Sequence, residues 1–125
     1  MNPMREAREH IKGTLDLPGV TVYAYPHENP AIPCVEITAS DPYAVPITLG
    51  RTAVNLLVTV MVTQDGTNKN AQQLVEDRAW AVVTQLRAAG VVVGDVSAPR
   101  QVTLGTAQVA AVEVVTTTHV NDEGD

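Results

Sequence analysis

Apolar residues along the chain alternate between a helical and a strand spacing, and the changes of period mark out the elements. Met4, Ala7, Ile11 and Leu15 recur at helical spacing. Asn2 stands where a cap belongs and Pro3 at the first helical position, so a short helix is predicted that Leu17-Pro18-Gly19 ends. From Val20 to Tyr25 the period becomes two: Val20, Val22 and Ala24 face one way, Thr21, Tyr23 and Tyr25 the other. Pro26, Pro30, Pro33, Pro42 and Pro46 then crowd one stretch. Proline removes a ladder donor, so only Cys34–Ala39 is expected to pair, and Ser40–Gly50 reads as a long loop.

Thr52–Thr63 carries the strongest strand signal. Val54, Leu56, Val58, Val60 and Val62 make an unbroken apolar face, and the opposite face is apolar enough to suggest a central strand. A polar turn is expected over Asp65–Asn70. Leu74, Val75, Ala79, Val82, Val83 and Leu86 then form the broad stripe of a core-facing helix that runs from about Asn70 to Ala89, with Gly90 as its left-handed cap. Two closing strands, about Pro99–Leu104 and Gln108–Val120, flank a turn at Gly105-Thr106.

The order is α-β-β-β-α-β-β. It predicts an α+β domain with a mixed, mostly antiparallel sheet of about five strands, two helices packed on one face and one crossover through the second helix. Residues 1–120 read as a single domain and residues 121–125 as an acidic disordered tail.

Composition adds three constraints. There is no Phe and one Trp, so the core must be built from small branched side chains, above all valine. The net charge of −6 disfavours binding to the outside of nucleic acid or to an anionic membrane, both of which need clustered Lys and Arg. Arg5, Arg8 and Lys12 do line the first helix, but Glu6 and Glu9 interrupt them, which reads as a solvated face. A single cysteine, Cys34, excludes an internal disulfide and suits a reducing cytosol. Met1–Leu15 has no apolar core of a signal peptide, and no apolar run is long enough to span a bilayer.

The chemistry of known enzyme motifs is missing. Gly90-Val-Val-Val-Gly94 lacks the lysine and the context of a phosphate loop and reads as a helix cap followed by a turn. His10, His27 and His119 share no metal-ligand spacing. Asp65–Asn70 lacks the glycine and glutamate of a calcium loop, and no nucleophile-elbow glycines flank Ser40. The expectation is a non-enzyme without metal or cofactor. The contrasting class, a small enzymatic or ligand-binding α/β dimer, would draw first on His27, Glu28 and Asp41.

Two features point instead to assembly. Trp80 falls roughly 140° from the apolar stripe of its helix, at 100° per residue, with Glu76, Thr84 and Arg87 as neighbours. Buried tryptophans are enriched at the centres of protein interfaces. The Ser40–Gly50 segment is apolar for a loop, with Pro42, Tyr43, Val45, Pro46, Ile47 and Leu49, and a loop of that length is usually functional. Trp80, Tyr43, Pro42, Pro46, Ile47 and the adjoining Arg51 are therefore the candidate interface residues.

The whole arrangement resembles the tail terminator family of long-tailed phages. The likeness lies in element order and length: a short leading helix, the strand Val20–Tyr25, the proline-rich Pro26–Pro33, the strand Cys34–Ala39, the loop, the strand Thr52–Thr63, the helix Ala71–Ala89 and a terminal hairpin. The resemblance implies a structural virion protein of the tail neck, assembled in the host cytoplasm. Members form a hexameric ring on the finished tail tube, stop its polymerisation and present a surface to the head-side connector or stopper protein. Genomic DNA passes through the lumen without specific binding, and an acidic wall suits that passage. Another neck or tail-completion protein of similar size is the neighbouring alternative.

Overall fold

A computed structural model describes residues 2–64, 68–104 and 107–121. They form α1 (Pro3–Thr14), β1 (Thr21–Tyr23), β2 (Cys34–Thr48), β3 (Arg51–Thr63), α2 (Asn68–Ala88), β4 (Val92–Val96), β5 (Arg100–Leu104) and β6 (Ala107–Asn121). The strands make one sheet in the order β1-β2-β3-β6-β4, with β5 also paired to β6. β1 runs parallel to β2, and the other pairings are antiparallel. β5 meets β6 at Ala107–Ala111 and β4 meets it at Val114–Thr117, so the two short strands follow one another along one side of β6. Because β3 and β4 both run against β6, α2 is a crossover between two parallel strands that have β6 between them.

The chain is thus α+β with a mixed, mostly antiparallel sheet, one strand richer than the sequence pattern suggests. Val54, Leu56, Val58, Val60 and Val62 of β3 are all buried. They join one cluster with Val35 and Ile37 of β2, Val112 and Val114 of β6, Ala7 and Ile11 of α1, and Val75, Val82 and Leu86 of α2. Each such valine or leucine contributes about 1.5–3 kcal/mol on full burial, which is how a chain without phenylalanine can sustain a core. Cys34, Met61, Val109 and Ala111 form a smaller cluster, against which Tyr23, Ile32, Val102 and Leu104 pack. Ile32 belongs to the proline-rich stretch, which therefore packs on the sheet instead of standing away from it.

The ends of α2 and α1 are fastened by polar contacts. The Gln85 side chain accepts from the Asp16 backbone N–H at 2.8 Å and donates to the Asp16 carbonyl at 2.9 Å. His10 Nε2 lies 3.3 Å from the Ala89 carbonyl. Gly90 sits at φ 83°. The N–H of Val91 donates to the Leu86 carbonyl and that of Gly90 to the Arg87 carbonyl, which together close α2 in a Schellman motif.

Three expectations need correction. Ser40–Gly50 is not a loop: β2 continues to Thr48, and only Leu49 and Gly50 separate it from β3. The ladder steps from Ala39↔Leu56 to Ala44↔Val54, so Ser40–Tyr43 form a bulge that takes up Pro42. Pro46 pairs with Thr52 on a strand whose far side is covered by β1 only at Cys34–Glu36, so its missing donor breaks no ladder there. Gly50, at φ 81°, completes the tight turn. Second, Val92–Val96 is a strand, although Gly94 and Asp95 blur its pattern; they fall where its register with β6 shifts between Val93 and Val96. Third, the strand expected over Val20–Tyr25 is confined to Thr21–Tyr23. Asn68–Asn70 of the expected polar turn already belong to α2 and Asn121 of the expected tail to β6. The rest of that turn, Gly105-Thr106 and residues 122–125 lie outside the described residues.

Two glycine substitutions should move stability in opposite directions. Gly13 lies inside α1 with open space around its Cβ position, so Gly13→Ala should raise the unfolding free energy by roughly 0.5–1 kcal/mol. Gly90→Ala forces a side chain into the left-handed region and should lower it by about 1–2 kcal/mol. Urea unfolding of the two variants beside the wild type reads both signs, and a stabilised Gly90→Ala would contradict the cap.

Candidate assembly surface

The bulge at Ser40–Tyr43 turns Tyr43 inward, where it packs against the main core cluster. There it meets Arg8 of α1, which is 5% exposed despite its charge. Arg8 Nε donates to the Tyr43 hydroxyl at 2.9 Å. Its Nη1 donates to the Ile37 carbonyl at 2.6 Å and to the Ala24 carbonyl. The guanidinium carbon lies 4.2 Å from the centroid of the Tyr25 ring and 5.6 Å from that of Tyr43. Among the described residues no carboxylate pairs with it. Carbonyl dipoles and two ring faces take the place of a counter-ion. Arg8 is thus no part of a solvated basic face; the expectation fails because its partners are backbone atoms and tyrosines from distant segments. One side chain joins α1, the segment after β1, the body of β2 and the base of the hairpin.

On the outer side of the bulge, Asn55 of β3 donates to the Pro42 carbonyl at 2.9 Å and accepts from the Thr117 hydroxyl at 2.8 Å. The hairpin base is therefore tied to α1 through Tyr43 and to β6 through Asn55. Beyond it the hairpin end is apolar and open. Val45 is 40%, Ile47 51% and Leu49 102% exposed, with Pro46 and Arg51 also at the surface. Of the candidate interface residues, Pro42, Pro46, Ile47 and Arg51 are exposed, whereas Tyr43 serves the chain's own packing.

Trp80 is 62% exposed. Its ring borders a groove of about 150 Å³ between α2 and the chain around β4, lined by Glu76, Ala79, Val83, Val96, Pro99 and Val112. No segment of the described chain covers the indole. Val92 and Val96 of β4 are also exposed, so the apolar patch continues along that sheet edge. Helical periodicity finds Trp80, but the β4 contribution is missed because that strand is itself illegible.

The polar candidates have local duties. The His27 backbone N–H donates to Glu36 at 3.0 Å, its Nδ1 accepts from the Asn29 N–H at 3.1 Å, and its ring tilts against Tyr23. Asp41 lies in the bulge, five residues beyond Glu36 on β2. Among the described residues no three His, Cys, Asp or Glu side chains gather as a metal set. Cys34 is buried, and burial, with a smaller effect of Glu36, pushes its thiol up to about 12. No helix among the described residues is long and apolar enough to cross a membrane. No protein-family model matches the chain, and no curated protein sequence is significantly similar to it.

The clamp makes a quantitative demand. Arg8→Lys keeps the charge but cannot span two carbonyls and a hydroxyl, so unfolding free energy should fall by about 2–3 kcal/mol. Tyr43→Phe should cost about 1 kcal/mol, and the double variant less than the sum of the two because the groups interact. Chemical denaturation midpoints check this; full additivity would mean the two side chains do not act together. For Cys34 the raised value means the unfolded thiol ionises first as pH rises. Its contribution to stability is complete below the ordinary value of 9.0 and declines as pH climbs from there toward about 12. A Cys34→Ala variant should lack that portion of the alkaline decline in a pH series of unfolding curves, and the native thiol should stay unmodified by a maleimide reagent at pH 7.

Proposed function

We propose that this protein is a structural assembly protein of long-tailed phages, a tail terminator whose copies close into a ring, six-membered as in the family it resembles. The ring caps the tail tube, halts its polymerisation and offers its other side to the head-side connector. Its place is the neck of the virion, reached after assembly in the host cytoplasm, and the genome passes through its lumen unbound. The observation that carries the reading is the hairpin end. A domain with net charge −6 holds out Val45, Ile47 and Leu49 at the tip of a hairpin anchored at its base by Arg8 and Asn55. Apolar side chains held in the open on an ordered arm are what a subunit that joins other subunits requires. The exposed Trp80 on a different part of the surface supports the same reading, since a ring needs two unlike surfaces on each copy. The acidic balance suits a channel wall that DNA slides past.

Electron microscopy of tail tubes from a terminator-deficient phage, with and without the purified protein, tests the function. Tubes of uniform length capped at one end are the expected result, and tubes that keep growing overturn the reading. Trp80→Ala should leave the unfolding free energy within about 0.5 kcal/mol of wild type, as for an exposed side chain, while it reduces self-association or capping. Sedimentation beside an unfolding curve separates the two effects, and undiminished association would remove Trp80 from the interface.

A further inference from the structure

We infer that the hairpin end of one copy seats in the Trp80 groove of the next copy; this rests on the ring reading and specifies its contact. The two patches cannot meet within one chain. Register places Arg51 at the tip and Val58 level with Val114 and Val96, so seven residues of β3, about 23 Å at strand rise, separate them along the sheet. They also lie on different strands, with β3 and β6 between β2 and β4.

Charge selects the pairing. The tip, from Val45 to Arg51, holds one cation, Arg51, and no anion. The groove holds one anion, Glu76, among Ala79, Trp80, Val83, Val96, Pro99 and Val112. Tip against tip would set Arg51 beside Arg51, and groove against groove Glu76 beside Glu76; both place like charges in a drying contact. Tip into groove puts opposite charges together and covers Leu49 with Trp80 and Val96. That contact joins unlike surfaces, so it repeats from copy to copy and closes only as a ring.

Disulfide trapping in the full chain tests the contact. Leu49→Cys and Val96→Cys are made separately, one with a mass tag, and mixed under oxidising exchange; buried Cys34 stays out of reach. The tip–groove heterodisulfide should exceed either homodisulfide by about tenfold, the equivalent of about 1.4 kcal/mol. Arg51→Glu on the tip partner, or Glu76→Arg on the groove partner, should each bring the products to random proportions, and the two together should restore the excess. Both positions are exposed, and unfolding curves confirm that the variants fold. Random proportions with the wild-type charges, or no restoration by the paired swap, overturn the inference. If the protein caps tubes while the disulfides form at random, the contact is wrong and the terminator reading stands. If the heterodisulfide accumulates while tubes grow uncapped, the contact stands and that reading falls.

Discussion

The architecture turns on a buried guanidinium. Arg8 comes from the first turns of the leading helix, yet its donors end on Ala24, Ile37 and Tyr43. Without it, the segment after β1 and the base of the long hairpin would have no common anchor to the helix. A charge buried away from carboxylates is tolerable only because its donors and its two faces are answered by carbonyls and rings. The arrangement is specific to arginine: a point ammonium has neither the fork nor the flat faces. It also sets a division of labour on the hairpin, in which Tyr43 is committed inward and Val45, Ile47 and Leu49 are left for the outside.

That division explains how a core of valines can carry an exposed apolar strand end. The main cluster draws on β2 at Val35 and Ile37, with Tyr43 packed against it, and no β2 side chain beyond Tyr43 joins it. Past Ala39, order in β2 rests on ladder bonds to β3, on Arg8 from one side and on Asn55 from the other. Polar contacts of this kind contribute modestly to net stability but define geometry. The end of β2 is thereby held by ladder and polar contacts, and Val45, Ile47 and Leu49 remain open to a second molecule.

Much of this was legible in the sequence, and the failures have physical causes. β3 and α2 follow from simple periods because each buries a continuous face, although Leu74 of the expected α2 stripe is exposed, and Gly90 reads as a cap because only glycine sits easily at that backbone angle. The second half of β2 was hidden by Pro42 and Pro46, which rule out a strand only where both edges are paired; here one falls in a bulge and the other on a strand with an open side. β4 was hidden by Gly94 and Asp95, which interrupt the alternation where the ladder steps from Val93↔Thr116 to Val96↔Val114. Arg8 groups with Arg5 and Lys12 in the sequence because charge patterning on a helix sees neighbours one turn away, whereas its partners lie 16 to 35 positions on. At the candidate surface, the apolar texture of residues 42–49 was visible, but not which of them turn inward.

Beyond Glu36 one side of β2 is left open by β1. A bare strand edge accepts almost any other strand, because backbone groups are the same in every protein. A bulge interrupts that edge at Ser40–Tyr43, and neither Pro42 within it nor Pro46 beyond it carries an N–H, so it offers no continuous row to an incoming chain. What the arm can say to a neighbour is then written in side chains alone. Such a contact discriminates between partners, and it can be rewritten by single substitutions as the partner changes, while the backbone that presents it stays as it is.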